Sequence, residues 1–372
     1  MAKKTQAPKD ETKSEEIKNV VRRHAEEEFA EELAALVEED EGYKPSNWKL
    51  SPKSVKLFIL GGKTPKGKEI SPKYFGPERL IELAIGSLAT DRALLLYGMP
   101  GTGKSWLSED LAAAISGKST LLIQATAGTD EAALRYGWNY AKLIAEGQTL
   151  DAIVESPTMR GMREGSLVRI EELTRAAGDV QDALITILSE KTLPIPELTT
   201  EVQAQKGFNI IATANDRDRG VNELSKALER RFAFVVLPAP NSLEEEVKIV
   251  ASRVEKLGRA LEAPPVATAM EEIQRVVTIF RELRAGATLD GKTQLKKPSS
   301  ILSPGEAISV VNNGVAMAGY FGDGVLRATD LAPGIVGAVV KEESDRPIWK
   351  EYTETIVKGR WPDMHKALKD VE

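Results

Sequence analysis

The chain has 372 residues, 42% of them hydrophobic and 28% charged, enough for two or three domains with proper cores. Its 50 basic and 56 acidic residues leave a formal charge of -6, so no global attraction to nucleic acid or to an anionic membrane surface is expected. There is no cysteine and there are only two histidines, His24 and His365, which removes disulfides, thiolate chemistry, zinc clusters and a Ser/His triad in the middle of the fold.

The opening MAKKTQAPKDETK is polar, and no apolar run approaches the roughly 20 residues that span a bilayer. The expectation is a soluble, cytoplasmic protein. Residues 1–13, rich in Lys, Glu and Pro, read as a disordered tail. From Ser14 to Glu39 the recurrence of Ile17, Val21, Ala25, Phe29, Leu33 and Val37 every fourth residue predicts one helix, its apolar stripe docked on the protein's own core or offered to a partner. A Pro/Gly/Lys-rich connection then runs to about residue 75.

Beyond it the pattern predicts a helix over 77–89 and strands at Ala93–Tyr97, Thr120–Gln124, Leu167–Ile170, Phe208–Thr213 and Ala233–Leu237, alternating with helices. Such alternation builds an α/β fold, a parallel sheet sandwiched between helices, here over residues 76–240. From "PAPNSLEEE" onward the chain reads as a smaller helical domain, residues 241–372.

The stretch "LLLYGMPGTGKSWL" is an apolar strand running into a glycine-rich turn and a helix, and GMPGTGKS fits G-x-x-x-x-G-K-[ST]. The backbone N–H groups of Gly98, Gly101, Thr102 and Gly103, with Pro100 shaping the turn and the positive end of the following helix, are expected to form a phosphate cradle reaching to Trp106. The pattern predicts Lys104 as the group that neutralises the β- and γ-phosphates and the Ser105 hydroxyl as a Mg²⁺ ligand.

In "GSLVRIEELTRA" a short buried strand ends at Glu171 and Glu172, at the carboxyl edge of the sheet where ligands collect. One acid holds the metal shell, assigned to Glu171, and the other polarises the attacking water, assigned to Glu172. The residues alone leave that division of labour open. "FNIIATAND" ends in Asn215, placed to reach between the γ-phosphate and the water. "LSKALERRF" brings Arg230 and Arg231 before a strand, where an arginine can serve as a finger in a neighbouring subunit's site.

The order GMPGTGKS, LVRIEEL, IIATAN, ALERRF, then a helical lid resembles an AAA+ ATPase over about residues 75–320, and "EELTRAAGDVQDALITILSEKTLPIP" resembles the MoxR branch. The resemblance implies a P-loop core with a lid, ATP and Mg²⁺ as cofactors, and a homo-oligomeric, hexameric ring hydrolysing ATP between subunits. It further implies remodelling of a protein client and a von Willebrand factor A domain partner, while the polar opening and acidic net charge speak against a membrane or nucleic-acid role. It gives Lys104 and Ser105 the Walker A roles, Glu171 and Glu172 the Walker B roles, Asn215 the first sensor and Arg231 the finger, with Arg230 as alternative. The family often places an arginine after Ser-Pro in the lid; "ILSPGEAISVV" has Gly305 there, so the second sensor is absent or supplied by Lys296 or Lys297. Ser303, Pro304 and Glu306 read as N-cap, first-turn proline and capping-box partner.

Other segments carry less. "NDRDRGVNEL" from Asp216 has the spaced acids of a calcium loop, but Val221 and Ala227 stand where glycine and glutamate are required. Arg275, Arg281, Arg284, Lys292, Lys296 and Lys297 make the lid locally basic, read as a solvated face. Ser156 to Leu167 reads as a loop, either a plain connection or an arm toward the ring's pore. Two other readings stay open: a nucleic-acid motor of the related restriction-type branch, and a nucleotide-gated scaffold with little turnover.

Overall fold

The computed structural model describes residues 20–215 and 222–371. The expected tail, the first residues of the predicted N-terminal helix and most of the rejected calcium loop therefore lie outside the described residues.

Five parallel strands form the central sheet: β1 (Ala93–Gly98), β2 (Leu122–Gln124), β3 (Leu167–Glu171), β4 (Asn209–Asn215) and β5 (Phe232–Val236), in the order β5-β1-β4-β3-β2. Every strand read from the sequence is present, with ends shifted by one or two residues. The apolar runs follow from burial on both faces: in β1, Leu94 and Leu96 join one core while Ala93 and Leu95 join the other. Because all five strands run the same way, their carboxyl ends share one edge, where Gly98 pairs with Asn215 and Gln124 with Glu171.

The N-terminal region departs from expectation. In place of one long helix there are α1 (Ala25–Glu28) and α2 (Ala30–Glu39), broken at Phe29. The break sets the Phe29 ring edge-on against Phe58 at 5.6 Å, with the Lys73 ammonium 4.2 Å from both rings. The four-residue stripe holds at Ala25, Phe29 and Leu33 but fails at its ends, since Val21 and Val37 are exposed and Leu36 is buried instead.

The supposed connection is also not a linker. It contains α3 (Pro52–Leu60), whose Ser51 side chain caps the Ser54 N–H and whose proline occupies the first turn. Val55, Phe58 and Ile59 are fully buried there, against α4 (Glu78–Leu88) and the phosphate-loop helix α5 (Lys104–Ser116).

Between β2 and β3 the expected loop of residues 156–167 is instead a packed helix, α6 (Pro157–Glu164), capped by Ser156 and closed by Gly165 in the left-handed region at φ 64°. A Cβ on Gly161 would come within 2.2 Å of Val168, so this helix lies directly on the sheet and is no free arm. After β3 come a pair of short helices and the hairpin Thr192–Ile195 with Thr200–Gln203, then the short α7 (Lys226–Glu229) before β5.

The lid is a separate helical core of α8 (Leu243–Ala260), α9 (Met270–Ala285), α10 (Pro304–Tyr320) and α11 (Ala328–Val339), closed by short helices through Lys369. Of its basic residues, Lys292, Lys296 and Lys297 are exposed as expected, but the three arginines are not a solvated face. Arg281 and Arg284 both reach the fully buried Glu246, at 2.7 and 2.8 Å, while Arg275 pairs with Asp363 and Lys292 with Asp290. A buried carboxylate is tolerable only with such partners, so these arginines hold the lid together. Among the described residues no helix is long and apolar enough to cross a membrane.

Candidate active site

The phosphate loop turns from β1 into α5 through glycines that its geometry requires. Gly98 has φ 148° and passes so close to β5's end that a Cβ would lie 2.5 Å from the Leu237 carbonyl oxygen. Gly101, at φ 75°, lies under the lid: a Cβ there would meet Ser303 Oγ at 2.6 Å and the Gly305 nitrogen at 3.1 Å. The lid helix α10 therefore begins directly on the phosphate loop, with the capping box of Ser303 and Glu306 formed as the spacing predicts. A Cβ on Gly305, where the resembling family often has an arginine, would stand 3.5 Å from the Gly101 Cα.

Lys104 is buried at the start of α5, and its ammonium donates to the carbonyl oxygens of Gly98 (2.9 Å) and Met99 (2.7 Å). The Ser105 hydroxyl donates to Glu171 Oε2 at 2.6 Å. The structure separates the two glutamates sharply. Glu171 is 3% exposed, and its Oε2 also accepts from the Thr213 hydroxyl at 2.7 Å. Glu172 turns away at φ 55°, a left-handed conformation that costs a non-glycine residue about 1–2 kcal/mol. Its N–H donates to the same Thr213 hydroxyl at 3.0 Å, and its partly exposed carboxylate pairs with Arg175. One threonine thus turns the first acid inward to Ser105 and the second toward the open side.

Asn215 stands at the same edge, in register with Gly98. Arg231 donates through Nε to Ser189 Oγ at 2.7 Å and also bonds the Ala227 carbonyl, whereas Arg230 is exposed. Both sit at the far end of β5, away from the carboxyl edge that carries Lys104 and Glu171. Lys296 and Lys297 do not reach the site: Lys296 lies 3.6 Å from Glu351, Lys297 packs over Gly286, and neither lines the cleft described next.

Beside the contact of loop and lid opens a cleft with an empty volume of about 650 Å³, its open mouth included. Gly101, Thr102, Gly103 and Trp106 form one wall. Tyr74, Phe75 and Pro77 form a second, and Pro238, Pro240, Ile249, Arg253 and Ile308 complete it. The Arg253 guanidinium lies 3.7 Å over the Trp106 ring, and burial pushes the Tyr74 phenol up to about 12, keeping it a neutral hydroxyl. The slot is thus a mixed apolar and charged cleft directly beside the glycine loop.

Sequence reading found the cradle but missed this slot. Its walls come from four segments far apart in the chain, and the one local signal was the aromatic pair in "KYFGPE" ahead of α4. Sequence reading also missed Arg169, a charge inside the apolar run of β3.

A family model described as "AAA domain (dynein-related subfamily)" matches residues 93–232, and one described as "YehL-like AAA+ ATPase C-terminal domain" matches residues 244–369. The uncharacterised protein YehL of Escherichia coli (strain K12) is 40% identical over 347 residues, covering 91% of this chain and 94% of that one. The chain belongs to the YehL-like family of AAA+ ATPases. An uncharacterised protein of Staphylococcus haemolyticus, SH1500, is 30% identical to this YehL-like chain over 147 residues, 39% of this chain and 55% of that protein. Among solved structures, NtrX from Brucella abortus in complex with ADP matches with a TM-score of 0.48 at 15% identity, over 74% of this chain and 58% of that one.

Proposed function

We propose that the chain hydrolyses ATP with Mg²⁺ at the subunit interfaces of a hexameric homo-oligomer and uses that cycle to remodel a protein client, with a von Willebrand factor A domain protein as partner. The observation that carries the ATPase reading is the convergence of Lys104, Ser105, Glu171, Glu172 and Asn215 on one glycine loop beneath the lid. In this reading Lys104 leaves the loop carbonyls for the β- and γ-phosphates. The Ser105 hydroxyl and Glu171 carboxylate, an all-oxygen pair 2.6 Å apart, suit a hard cation and hold Mg²⁺. The bound ion supplies charge neutralisation at the phosphates. Glu172 orients and polarises water, and Asn215 senses the terminal phosphate. Arg231 or the more exposed Arg230 completes the next subunit's site, since both lie away from their own carboxyl edge. The MoxR resemblance supports the client and the partner.

One observation favours a nucleotide-gated scaffold as second reading: the Glu172 carboxylate is engaged by Arg175. Turnover then requires Arg175 to be drawn off, and binding without turnover is its absence. A nucleic-acid motor draws no support, because the lid arginines are committed to Glu246 and Asp363.

The test is the steady-state ATPase rate against protein concentration for wild type, Glu172→Gln, Arg230→Ala and Arg231→Ala, with mass followed by light scattering. The ring reading expects a rate per subunit that rises with concentration and is abolished, with nucleotide binding retained, by Glu172→Gln and by one of the two arginine substitutions. A flat or absent rate with both arginine variants neutral selects the scaffold.

A further inference from the structure

Strand β3 carries a charge where its neighbours are apolar. Arg169 lies two residues before Glu171, so both side chains leave the same face of the strand and point under α5. The residue is 4% exposed, and its guanidinium is almost fully used. Nε donates to Ser108 Oγ at 3.0 Å, Nη1 to the Ser119 carbonyl at 3.2 Å, and Nη2 to both the Ser105 carbonyl at 2.9 Å and Glu171 Oε1 at 3.0 Å. A second carboxylate, Glu109, stands 3.9 Å from Nη1.

The Glu171 carboxylate is therefore divided. Oε1 accepts from Arg169 and Ser108, facing inward, while Oε2 accepts from Ser105 and Thr213, facing the phosphate loop. The acid in this position is a glutamate, one methylene longer and one rotor freer than aspartate. A fork of donors on Oε1 removes that freedom and fixes which oxygen faces Ser105. The same Nη2 grips the backbone of Ser105 itself, so one guanidinium sets the distance between both oxygen groups.

We infer that Arg169 is a positioning residue for the metal side of this site: it orients Glu171 and balances its buried charge before any cation arrives. The consequence concerns binding rather than bond cleavage. An unbalanced carboxylate beside the phosphate loop repels a nucleotide's phosphates until a divalent ion screens it. With Arg169 in place that repulsion is already cancelled, so ATP binds nearly as well without Mg²⁺ as with it. The inference rests on the nucleotide reading of the site and adds a property that reading does not require.

The experiment is titration calorimetry of the full chain with ATP, once in MgCl₂ and once in EDTA, for wild type, Arg169→Gln and Arg169→Lys. Wild type should lose less than about tenfold in affinity when Mg²⁺ is removed. Arg169→Gln should lose about 10–100-fold more, the worth of a hydrogen bond to a charged group, with Arg169→Lys between the two. Should Arg169→Gln fail to fold, Glu171→Gln and the charge-neutral Arg169→Gln/Glu171→Gln pair take its place. In EDTA the single Glu171→Gln, which leaves the cation unbalanced, should bind ATP more tightly than the double variant by the same factor. A purely structural Arg169 would lower stability and leave the ratio of the two affinities unmoved in every variant, which overturns the inference alone. No ATP binding by wild type in either buffer overturns it together with the nucleotide reading.

Discussion

Two glycines meet where the lid begins on the phosphate loop, and the structure assigns them opposite sensitivities. At Gly101 a methyl group faces two obstacles. The backbone is at φ 75°, which costs an alanine about 1–2 kcal/mol, and the methyl carbon would stand 2.6 Å from Ser303 Oγ, the cap of α10. Displacing that cap adds about 1 kcal/mol, for a total of about 2–3 kcal/mol in Gly101→Ala. At Gly305, in the first turn of α10, the nearest atoms to a methyl carbon are 3.5 and 3.6 Å away, which is ordinary contact, and no positive φ is involved. Gly305→Ala should instead gain about 0.5–1 kcal/mol from lower backbone entropy in the unfolded chain. Scanning calorimetry of both variants, without nucleotide and with saturating ADP, reads the difference: a lower lid transition and weakened ADP stabilisation for Gly101→Ala, a raised transition for Gly305→Ala. Equal transitions for the two variants would refute the close approach of lid and loop at Gly101, and a Gly305→Ala less stable than wild type would refute the open contact assigned to Gly305.

Three further outcomes are expected. Phe58→Ala, in the helix hidden inside the supposed linker, removes a fully buried ring and should cost about 3–5 kcal/mol by urea unfolding; a change below about 1 kcal/mol would return the segment to linker status. Arg253→Ala removes the cation from over Trp106 and should weaken ADP binding by about tenfold with a change in tryptophan emission on titration; unchanged affinity would detach Arg253 from the cleft. Asp110 is buried on α5 among Arg253, Lys256 and Lys73, with Glu109 beside it, and burial outweighs the cations and pushes its carboxyl up to about 7. The unfolded carboxyl titrates near about 3.9, so the folded state holds an extra proton between those values and stability falls as pH rises from about 4 to about 7, levelling above. Asp110→Asn should flatten that window in denaturant titrations, and an Asp110→Asn curve parallel to wild type would contradict the assignment.

What could be read from the chain alone follows the reach of the interactions. The strands were legible because both faces of a parallel sheet are buried, so each strand announces itself as an apolar run. The phosphate loop was legible because its glycines, lysine and serine are consecutive. Helix α3 was also written locally, in Ser51, Pro52 and the apolar Val55, Phe58 and Ile59, but the surrounding Pro, Gly and Lys residues made the stretch look like a connection. The break at Phe29 was invisible because it is imposed by Phe58 and Lys73, well beyond any helical window. The lid arginines read as a solvated face because the partner that buries them, Glu246, lies on a different helix. The role of Thr213 in parting Glu171 from Glu172 needed the register of β4 against β3, which no single segment encodes.

The order of the sheet also sets a timetable for synthesis. Strand β1 and its loop emerge early, yet both neighbours of β1, the strands beginning at residues 209 and 232, come much later, and the roof over Gly101 waits for residue 303. A nascent chain therefore carries its glycine loop without walls for most of translation, and such long-range closures are the slow ones. The cleft over the glycine loop can be walled only once the chain through Ile308 has been made, so its assembly reports the meeting of segments more than 200 residues apart.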